Sequence, residues 1–548
     1  MTAVFRPTIG ELLLERIKQT PDQTAYVFLP SNSAEGSPKE SKALSFKDVY
    51  DTSKIFSDAL FSLGVKPGHR VGLVTAGSQR WVFSYFGALG AGASTVSLDA
   101  RLSPQQLVQA IQEFEIHTLL TESPRQLNEL AANLRHPPET LKAIVTTQNS
   151  TEALPNIPGI EVLNCRDFLD RGERANELAP GRFDSTLSSE RAIEKVSTFK
   201  STDFSHSHLV MGLYNFYFGA FENSNETDVV LSTLPFSSPA GQIHALIPFS
   251  YGVPLALSEE AYPSRFVFET FKPKTLITTE SVLKKFFQND SSEPFHIFRS
   301  TALKKKFGGA LHKTVLLGDL SDEMIEAYLR AAKIETYKSY FIDGGLGPIT
   351  LTKVNSDPAS NETHSNLGKP HGDIEVRVAT DGEIWVKTGQ NPKSTSSDLG
   401  FATGDLGLLN DSGELIYCGK KDSQFMEAFS KKFPLIDHLV SFQEEGERGF
   451  LALITLNREN LIGFAQDRQL LYSNYEALIR NPVVFAEVRK IVDEINTLLE
   501  GRSKISRFLL LPHEFSIESG ELSPLQTLNR DLIQEKYRDQ LELVKNAP

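Results

Sequence analysis

The chain has 548 residues, of which 40% are hydrophobic, 23% charged and 9% aromatic. At about 100–200 residues per domain, this length predicts at least two packed domains, and the composition excludes a wholly disordered or collagen-like chain. The 56 lysines and arginines and the 69 aspartates and glutamates give a net charge of −13. This acidic balance argues against a general nucleic-acid-binding protein, because phosphate backbones require a basic surface.

Cysteine content and hydropathy restrict the class of protein further. Cys165 and Cys418 are the two cysteines, too few for a disulfide framework or a cysteine-based zinc site. No run of about 18 apolar residues predicts a transmembrane segment, and the amphipathic N-terminal segment lacks the apolar core of a signal peptide. We therefore expect a soluble, cytoplasmic protein, and the sequence does not indicate its oligomeric state.

The first 150 residues alternate between short apolar runs and helical stretches. Helices are predicted at 80–92 and 104–114, the second because Ser103-Pro104 pairs a cap residue with proline. This strand–helix alternation predicts a parallel sheet with crossover helices. The polar residues 148–195 are expected to form a long loop with weak structure. The strand-like runs are residues 69–75, 94–98, 117–121 and 142–147.

The strand pattern returns in the middle of the chain and then changes its period. A lysine-rich helix is predicted at 280–287, between apolar runs that suit further buried strands. After Gly344-Gly345 the alternation has period two, which predicts an antiparallel sheet or small barrel. The last 125 or so residues predict a small α+β unit. The runs are residues 228–234, 254–258, 275–279, 313–318, 375–379, 383–387, 414–418 and 449–455, with C-terminal helices near 474–500 and at 529–544.

Four segments, in this order, resemble a known family. Residues 62–103, 228–241 (DVVLSTLPFSSPAG), 399–407 (LGFATGDLG) and 514–537 (EFSIESGELSPLQTLNRDLIQEKY) are similar to motifs of the AMP-forming acyl-CoA synthetases, the adenylate-forming enzymes. The bacterial long-chain fatty acid:CoA ligases are the most similar members.

The resemblance implies both the architecture and the reaction. It implies an α/β fold with an N-terminal AMP-binding domain of parallel sheets and a small β-barrel, residues 1–421, and a mobile C-terminal α+β lid domain, residues 422–548. A fatty carboxylate would attack the α-phosphate of ATP to give acyl-AMP and pyrophosphate, and the CoA thiol would then displace AMP. ATP, Mg²⁺ and CoA are thus the implied partners. The chemistry needs a glycine-rich phosphate loop, a carboxylate for magnesium, a lysine and an acid for the ribose.

The segment that matches the phosphate loop has lost its glycines. Where the family has TSGTTGxPKG before a Ser/Thr-His pair, residues 196–208 read VSTFKSTDFSHSH. Lys200 matches the family's lysine, and Ser205 and His206 match the pair. A phosphate cradle needs positive-φ positions and bare backbone, which glycine supplies. Two interpretations remain: an ordinary Ser/Thr-rich strand-to-helix turn, or a rebuilt loop in which Lys200 and hydroxyls hold one phosphate.

The adenine, magnesium and ribose positions are retained unevenly. In the family's YGxTE motif, Tyr340 matches the adenine-stacking aromatic and Gly344 replaces the magnesium-linked glutamate. Asp343 is either a displaced metal ligand or a turn residue. Asp405, in ThrGlyAspLeuGly, matches the ribose-binding acid, and a turn-holding role is the alternative.

The hinge and the C-terminal lysine have also changed. Lys420 replaces the hinge arginine, and Asp422 falls on the pivot, although a solvated charged turn has the same sequence. Thr527 replaces the lysine that reaches the adenylation site in the family. Losing such a cation costs on the order of 10²–10³ in rate.

A candidate acyl pocket follows the strand at 228–234. The family's histidine position is Ser238, and Phe236, Gly241 and His244 lie on the same segment. These residues suit an apolar tunnel, and equally an ordinary core.

The sequence therefore leaves several functions open. It favours an adenylation-deficient homologue of the long-chain fatty acid:CoA ligases, because three replaced devices serve the same step. The alternatives are a fully active synthetase, a non-catalytic acyl- or nucleotide-binding or partner protein, and an enzyme that retains only the CoA-thiolation half-reaction.

Overall fold

The chain forms two compact units in the computed structural model. One comprises Met1–Val376, Val386–Phe401 and Asn410–Ile416, and the other Arg377–Trp385, Ala402–Leu409 and Tyr417–Pro548. The predicted domain boundary at 421/422 lies outside the described residues and stays a prediction. The described residues are 8–29, 41–148, 153–188, 197–199, 202–206, 209–210, 212–213, 224–258, 260, 262–289, 304–317, 323–340, 348–354, 366–370, 374–379, 383–387, 401–420, 433–443, 449–498, 504–522 and 528–545.

A seven-stranded sheet is built mainly from the first 150 residues. Neighbouring strands are parallel except for the last pair, which is antiparallel. Near-continuous apolar runs form its inner strands because both faces of the sheet are covered. In spatial order the strands are Glu161–Leu163, Ala143–Thr146, Ile116–Thr121, Arg70–Val74, Ser94–Leu98, Ser197–Phe199 and Thr202–Phe204.

A second sheet of eight strands combines runs from the middle of the chain with two strands from its first 45 residues. Its inner pairs are parallel and its two edge pairs are antiparallel. In spatial order the strands are Thr352–Lys353, Glu335–Ser339, Lys313–Leu317, Thr275–Thr279, Val230–Ser232, Leu255–Leu257, Thr24–Phe28 and Lys42–Ser45.

Two smaller sheets follow along the chain. The four-stranded sheet keeps the chain order Glu375–Val378, Glu383–Lys387, Phe401–Leu409 and Leu415–Lys420. The three-stranded sheet has Ile436–Gln443 antiparallel to Gly449–Leu456, which is parallel to Lys504–Leu510. Parallel sheets, a smaller sheet and a C-terminal α+β part confirm the predicted fold class.

The helices begin where local capping chemistry places them. Ser103 accepts a hydrogen bond from the Gln106 amide while Gln106 bonds back, so Ser103-Pro104 starts a helix as predicted. Thr8 and Ser45 form the same capping box. No described helix is long and apolar enough to cross a membrane. The helices are Ile9–Gln19, Phe46–Ser62, Gln79–Gly90, Pro104–Glu113, Pro124–Asn133, Cys165–Leu178, Arg182–Leu187, Pro239–Ala245, Ile247–Tyr251, Arg265–Phe271, Glu280–Asn289, Glu323–Ala331, Arg458–Asp467, Tyr475–Ile479, Pro482–Leu498, Arg530–Lys536 and Arg538–Lys545.

The expectation of a weakly structured loop over 148–195 is wrong for the described residues. Asn164 caps the helix Cys165–Leu178, and Gly181 in the left-handed conformation precedes a shorter helix, Arg182–Leu187. The first of these helices is polar overall but buries Phe168 and packs Gly172 against the backbone of Ile55. Because a few buried positions suffice to fix a helix, the high polarity of the segment misled the prediction.

Candidate functional site

Two short strands pair within the segment aligned with the phosphate loop. Ser197–Phe199 pairs antiparallel with Thr202–Phe204, and the innermost pair is Phe199 with Thr202. This register leaves two residues, 200 and 201, between the strands. Ser197–Phe199 is also paired in parallel with Ser94–Leu98 on its other side. A strand paired on both sides directs its amide groups at its neighbours, so these amides are not available as an anion cradle.

The residue after these two strands that matches the family's histidine has a structural partner. The amide of Ile9, the first residue of the helix Ile9–Gln19, donates a hydrogen bond of 3.2 Å to His206 Nδ1. His206 therefore supplies an acceptor to one of the helix's amide groups. Lys200 lies outside the described residues, and its predicted contact with a phosphate stays a prediction.

Ser238 is occupied by helix capping. Its hydroxyl accepts from the Gly241 amide at 3.1 Å and donates to the Pro235 carbonyl at 2.8 Å. Ser238 is fully buried, and it starts the helix Pro239–Ala245. Gly241 lies so close to the preceding turn that an added Cβ would be 2.5 Å from the Pro235 carbonyl carbon. These two positions fix the turn between the strand Val230–Ser232 and the helix.

His244 and Phe236 lie on the same segment and are also buried. His244 Nδ1 is 2.8 Å from the Ser232 hydroxyl, and burial lowers the pKa of His244 to about 3. This imidazole is therefore neutral at physiological pH. The Phe236 ring packs against Trp81 with 4.7 Å between ring centroids. Phe236, Ser238, Gly241 and His244 thus lie on one buried, uncharged segment, which fits both an apolar pocket and an ordinary core, and the acyl-pocket assignment stays a prediction.

Tyr340 follows the strand Glu335–Ser339 and is 4% exposed. Its amide donates to the Thr350 hydroxyl at 3.1 Å, and its carbonyl accepts from the Ile349 amide at 2.8 Å. These two bonds fix the backbone at the predicted adenine position. Asp343 and Gly344 lie outside the described residues.

Asp405 lies within the strand Phe401–Leu409 rather than in a turn, and it is 5% exposed. Its amide donates to the Thr403 hydroxyl, which donates in turn to the Ile384 carbonyl. The preceding residue, Gly404, has φ +76° and donates its amide to the buried Glu383 carboxylate at 3.1 Å. Glycine is the residue that adopts this conformation without strain, so the backbone favours glycine at position 404. The sequence analysis did not predict this role of Glu383, because a glutamate at the start of a strand does not indicate a buried acceptor.

Hinge and C-terminal lysine positions are only partly described. The backbone at Lys420 ends the strand Leu415–Lys420, while Asp422 and Thr527 lie outside the described residues. Arg530, retained from the family motif, hydrogen-bonds the Ser441 carbonyl and lies over the Phe442 ring. Arg530 therefore stabilises the C-terminal unit itself.

A buried carboxylate supports the segment that would carry the C-terminal lysine. Glu521 is fully buried, and its Oε1 accepts from Lys536 Nζ at 2.6 Å and from the Tyr537 hydroxyl at 2.9 Å. Its other oxygen accepts from the Ser519 hydroxyl. Leu522 and Leu528 then pair as an isolated bridge. The GELSP sequence, similar to the family's GELTP, was the available signal for Glu521, but its role was not predicted.

In the described part of the chain, no group of three or more His, Cys, Asp or Glu side chains is placed to hold a metal ion. Asp343 lies outside the described residues, and its predicted contact with magnesium stays a prediction.

Comparisons with known proteins agree with this architecture. The family model described as AMP-binding enzyme matches residues 13–171. The long-chain-fatty-acid–CoA ligase FadD15 of Mycobacterium tuberculosis is 22% identical, over 89% of this chain and 90% of that protein. The long-chain-fatty-acid–CoA ligase ACSBG2 of Rattus norvegicus is 23% identical, over 98% of this chain and 92% of that protein.

Solved structures share the fold. The A domain of the carboxylic acid reductase from Segniliparus rugosus, in complex with AMP and a co-purified carboxylic acid, has a TM-score of 0.68 at 14% identity, covering 98% of this chain and 94% of that one. The o-succinylbenzoate CoA synthetase MenE from Bacillus subtilis has a TM-score of 0.64 at 13% identity, covering 96% and 98%.

Proposed function

We propose that this chain is a homologue of the long-chain fatty acid:CoA ligases that binds an acyl substrate but is deficient in adenylation. The proposal starts from its membership of the superfamily of AMP-forming acyl-CoA synthetases. ATP and CoA are the expected partners of the fold, with Mg²⁺ accompanying ATP. The proposal separates two properties that the family combines, acyl binding and activation of the carboxylate.

The two-residue connection between Phe199 and Thr202 carries the proposal. The family's motif TSGTTGxPKG is long and contains three glycines, because several backbone amides must converge on the leaving phosphates. Two residues between paired strands supply far fewer free amides, and none of residues 196–208 is glycine. Pyrophosphate would thus leave without its main-chain donors.

Replacement of the adenylation lysine supports the same conclusion independently. Thr527 stands at that position, and no lysine occurs between Ser506 and Glu535. A neutral hydroxyl does not stabilise the charge that develops as the carboxylate attacks the α-phosphate. The missing main-chain amides and the missing lysine would therefore both weaken the adenylation step.

Acyl binding is supported by the buried segment that contains Phe236 and His244. Neutral imidazole and aromatic rings form an uncharged environment, which suits a hydrocarbon chain and not a phosphate. Tyr340 and Asp405 remain as the proposed adenine and ribose contacts.

Pyrophosphate release tests the proposal. Purified protein is incubated with ATP, Mg²⁺ and a long-chain fatty acid, and binding of the same acid is measured by calorimetry. We expect acid binding without turnover at ordinary enzyme rates, which are about 1–10³ s⁻¹. Turnover in that range would establish an active synthetase instead, and absence of acid binding would refute the acyl site.

The thiolation half-reaction is a second candidate, favoured by the intact support around Glu521 in the C-terminal unit. In this reaction the CoA thiol attacks the acyl carbonyl, AMP leaves, and the thiol proton is released to solvent. Supplying synthetic acyl-AMP and CoA while following AMP release distinguishes this activity from simple binding.

A further inference from the structure

Several buried polar side chains have no hydrogen-bond partner within the described part of the chain. Three of them are Tyr85, Gln242 and Ser237, which are 0%, 1% and 5% exposed. Both amide atoms of Gln242 are affected, as are the Tyr85 and Ser237 hydroxyls. Leaving a buried donor or acceptor unpaired is costly, and native proteins nearly always supply a partner. A set of three such groups in one region needs an explanation.

Packing places the three groups beside one aromatic wall. Trp81 stacks on Tyr85 with 4.6 Å between ring centroids, and it also packs against Phe236 with 4.7 Å between centroids. Ser237 follows Phe236 in the chain. Gly241 lies against the backbone of residues 235–236, so the backbone of the next residue, Gln242, also begins near Phe236. The wall therefore runs along the segment that precedes and begins the helix Pro239–Ala245.

The C-terminal end of that helix is connected to Tyr85 through Tyr26. The Tyr26 hydroxyl donates to the Ala245 carbonyl at 2.6 Å. Burial raises the pKa of Tyr26, and the nearby Tyr85 phenol raises it further. Gln242, one turn before Ala245, thus lies between the Trp81 contact and the Tyr26 contact.

The residues joined by these contacts carry no charge at neutral pH. The phenols of Tyr26 and Tyr85 stay protonated because burial raises both pKa values, and the His244 imidazole stays neutral. A carboxylate or phosphate would lose its hydration there without gaining a cation. A neutral hydroxyl group on an otherwise apolar molecule would instead find hydrogen-bond donors in Tyr85 and Gln242 and an acceptor in the Gln242 amide oxygen.

We infer that Tyr85, Gln242 and Ser237 form a neutral hydrogen-bonding site for a hydroxyl group carried on a long acyl chain. This inference rests on the proposed acyl binding and specifies the substrate class as hydroxylated fatty acids. The amide of Gln242 both donates to and accepts from an alcohol, while Tyr85 donates to it.

Binding of matched fatty acids tests the inference. Calorimetry compares octadecanoic acid with a panel of its monohydroxylated isomers. At least one isomer should bind roughly five- to fiftyfold more tightly than the parent, as expected for two neutral hydrogen bonds. Tyr85→Phe and Gln242→Leu should bring this ratio to about one. Tyr26→Phe is the matched control, because its hydroxyl already has a partner, and the ratio should persist there.

Thermal unfolding without ligand provides a second readout. Tyr85→Phe removes an unpaired buried hydroxyl and should raise the melting temperature, whereas Tyr26→Phe removes a paired one and should lower it. A drop for Tyr85→Phe equal to that for Tyr26→Phe would overturn the inference, since it would show a water or protein partner. If octadecanoic acid and all its hydroxylated isomers bound equally well, the hydroxyl site would be refuted and the proposed acyl site would stand. If none of the acids bound, both would be refuted.

Discussion

Replacing Glu521 by glutamine should loosen the C-terminal end of the chain selectively. Each carboxylate oxygen accepts hydrogen bonds: one from Lys536 and Tyr537, the other from Ser519. Burial raises the pKa of Glu521, but the bonds from Lys536, Ser519 and Tyr537 outweigh it, so the pKa is lowered and the group is ionised. A glutamine side chain is neutral and has one oxygen and one NH₂, so Lys536 loses its anionic partner in both orientations, and in one of them its ammonium group faces the NH₂.

The magnitude follows from these contacts. Breaking a buried ion pair by removing one charge costs about 3–5 kcal/mol. Lys536 is 39% exposed and regains part of its hydration, so the expected loss is smaller, about 2–4 kcal/mol. At 1.4 kcal/mol per factor of ten, local opening becomes roughly 30- to 1,000-fold more frequent.

Hydrogen-exchange mass spectrometry measures this opening directly. Peptides covering 509–522 and 528–541 should lose protection, while peptides from the seven-stranded sheet remain unchanged. Glu518→Gln is the matched control, because Glu518 is exposed in the same turn and should leave exchange as it is. Exchange in Glu521→Gln within about threefold of the parent protein would refute the view that this carboxylate supports the segment.

Three further changes have defined outcomes. Gly241→Ala should destabilise the first unit by about 1–3 kcal/mol in urea titrations, because the added methyl collides with backbone, whereas Gly463→Ala, a helical glycine with open space around it, should stabilise by about 0.5–1 kcal/mol. Burial, then His69 and two lysines, lower the pKa of His117 to about 4, so stability should be full above pH of about 6.5 and fall by up to about 3 kcal/mol towards pH of about 4, and His117→Asn should flatten that dependence. Asp405→Asn should weaken any ATP binding measured by calorimetry by about 10- to 100-fold, and unchanged binding would remove Asp405 from the nucleotide site.

Local chemistry explains which parts of the fold could be predicted. The strand at 94–98 and the helix after Ser103-Pro104 follow from apolar runs and a cap, both encoded within a few residues. The helix Cys165–Leu178 was missed because its buried residues are sparse along a polar segment. Its stability comes from packing against Phe46–Ser62, which a single segment does not reveal.

The sequence identified the candidate site residues but not the contacts that they make. Sequence motifs identified Phe236, Ser238, Gly241 and His244, and the structure shows that their segment is buried, while their role in acyl binding stays a prediction. The partners could not be foreseen, because His206 binds a residue 197 positions away and Trp81 joins Phe236 from another sheet's helix. Such contacts depend on how separate elements pack.

The strand pair Ser197–Phe199 and Thr202–Phe204 also limits what a change of side chains could achieve. The register places two residues between the strands, so glycines introduced at single positions would make the main chain more flexible without lengthening it. A gain-of-function test of the proposed adenylation deficiency therefore needs inserted residues as well as point substitutions.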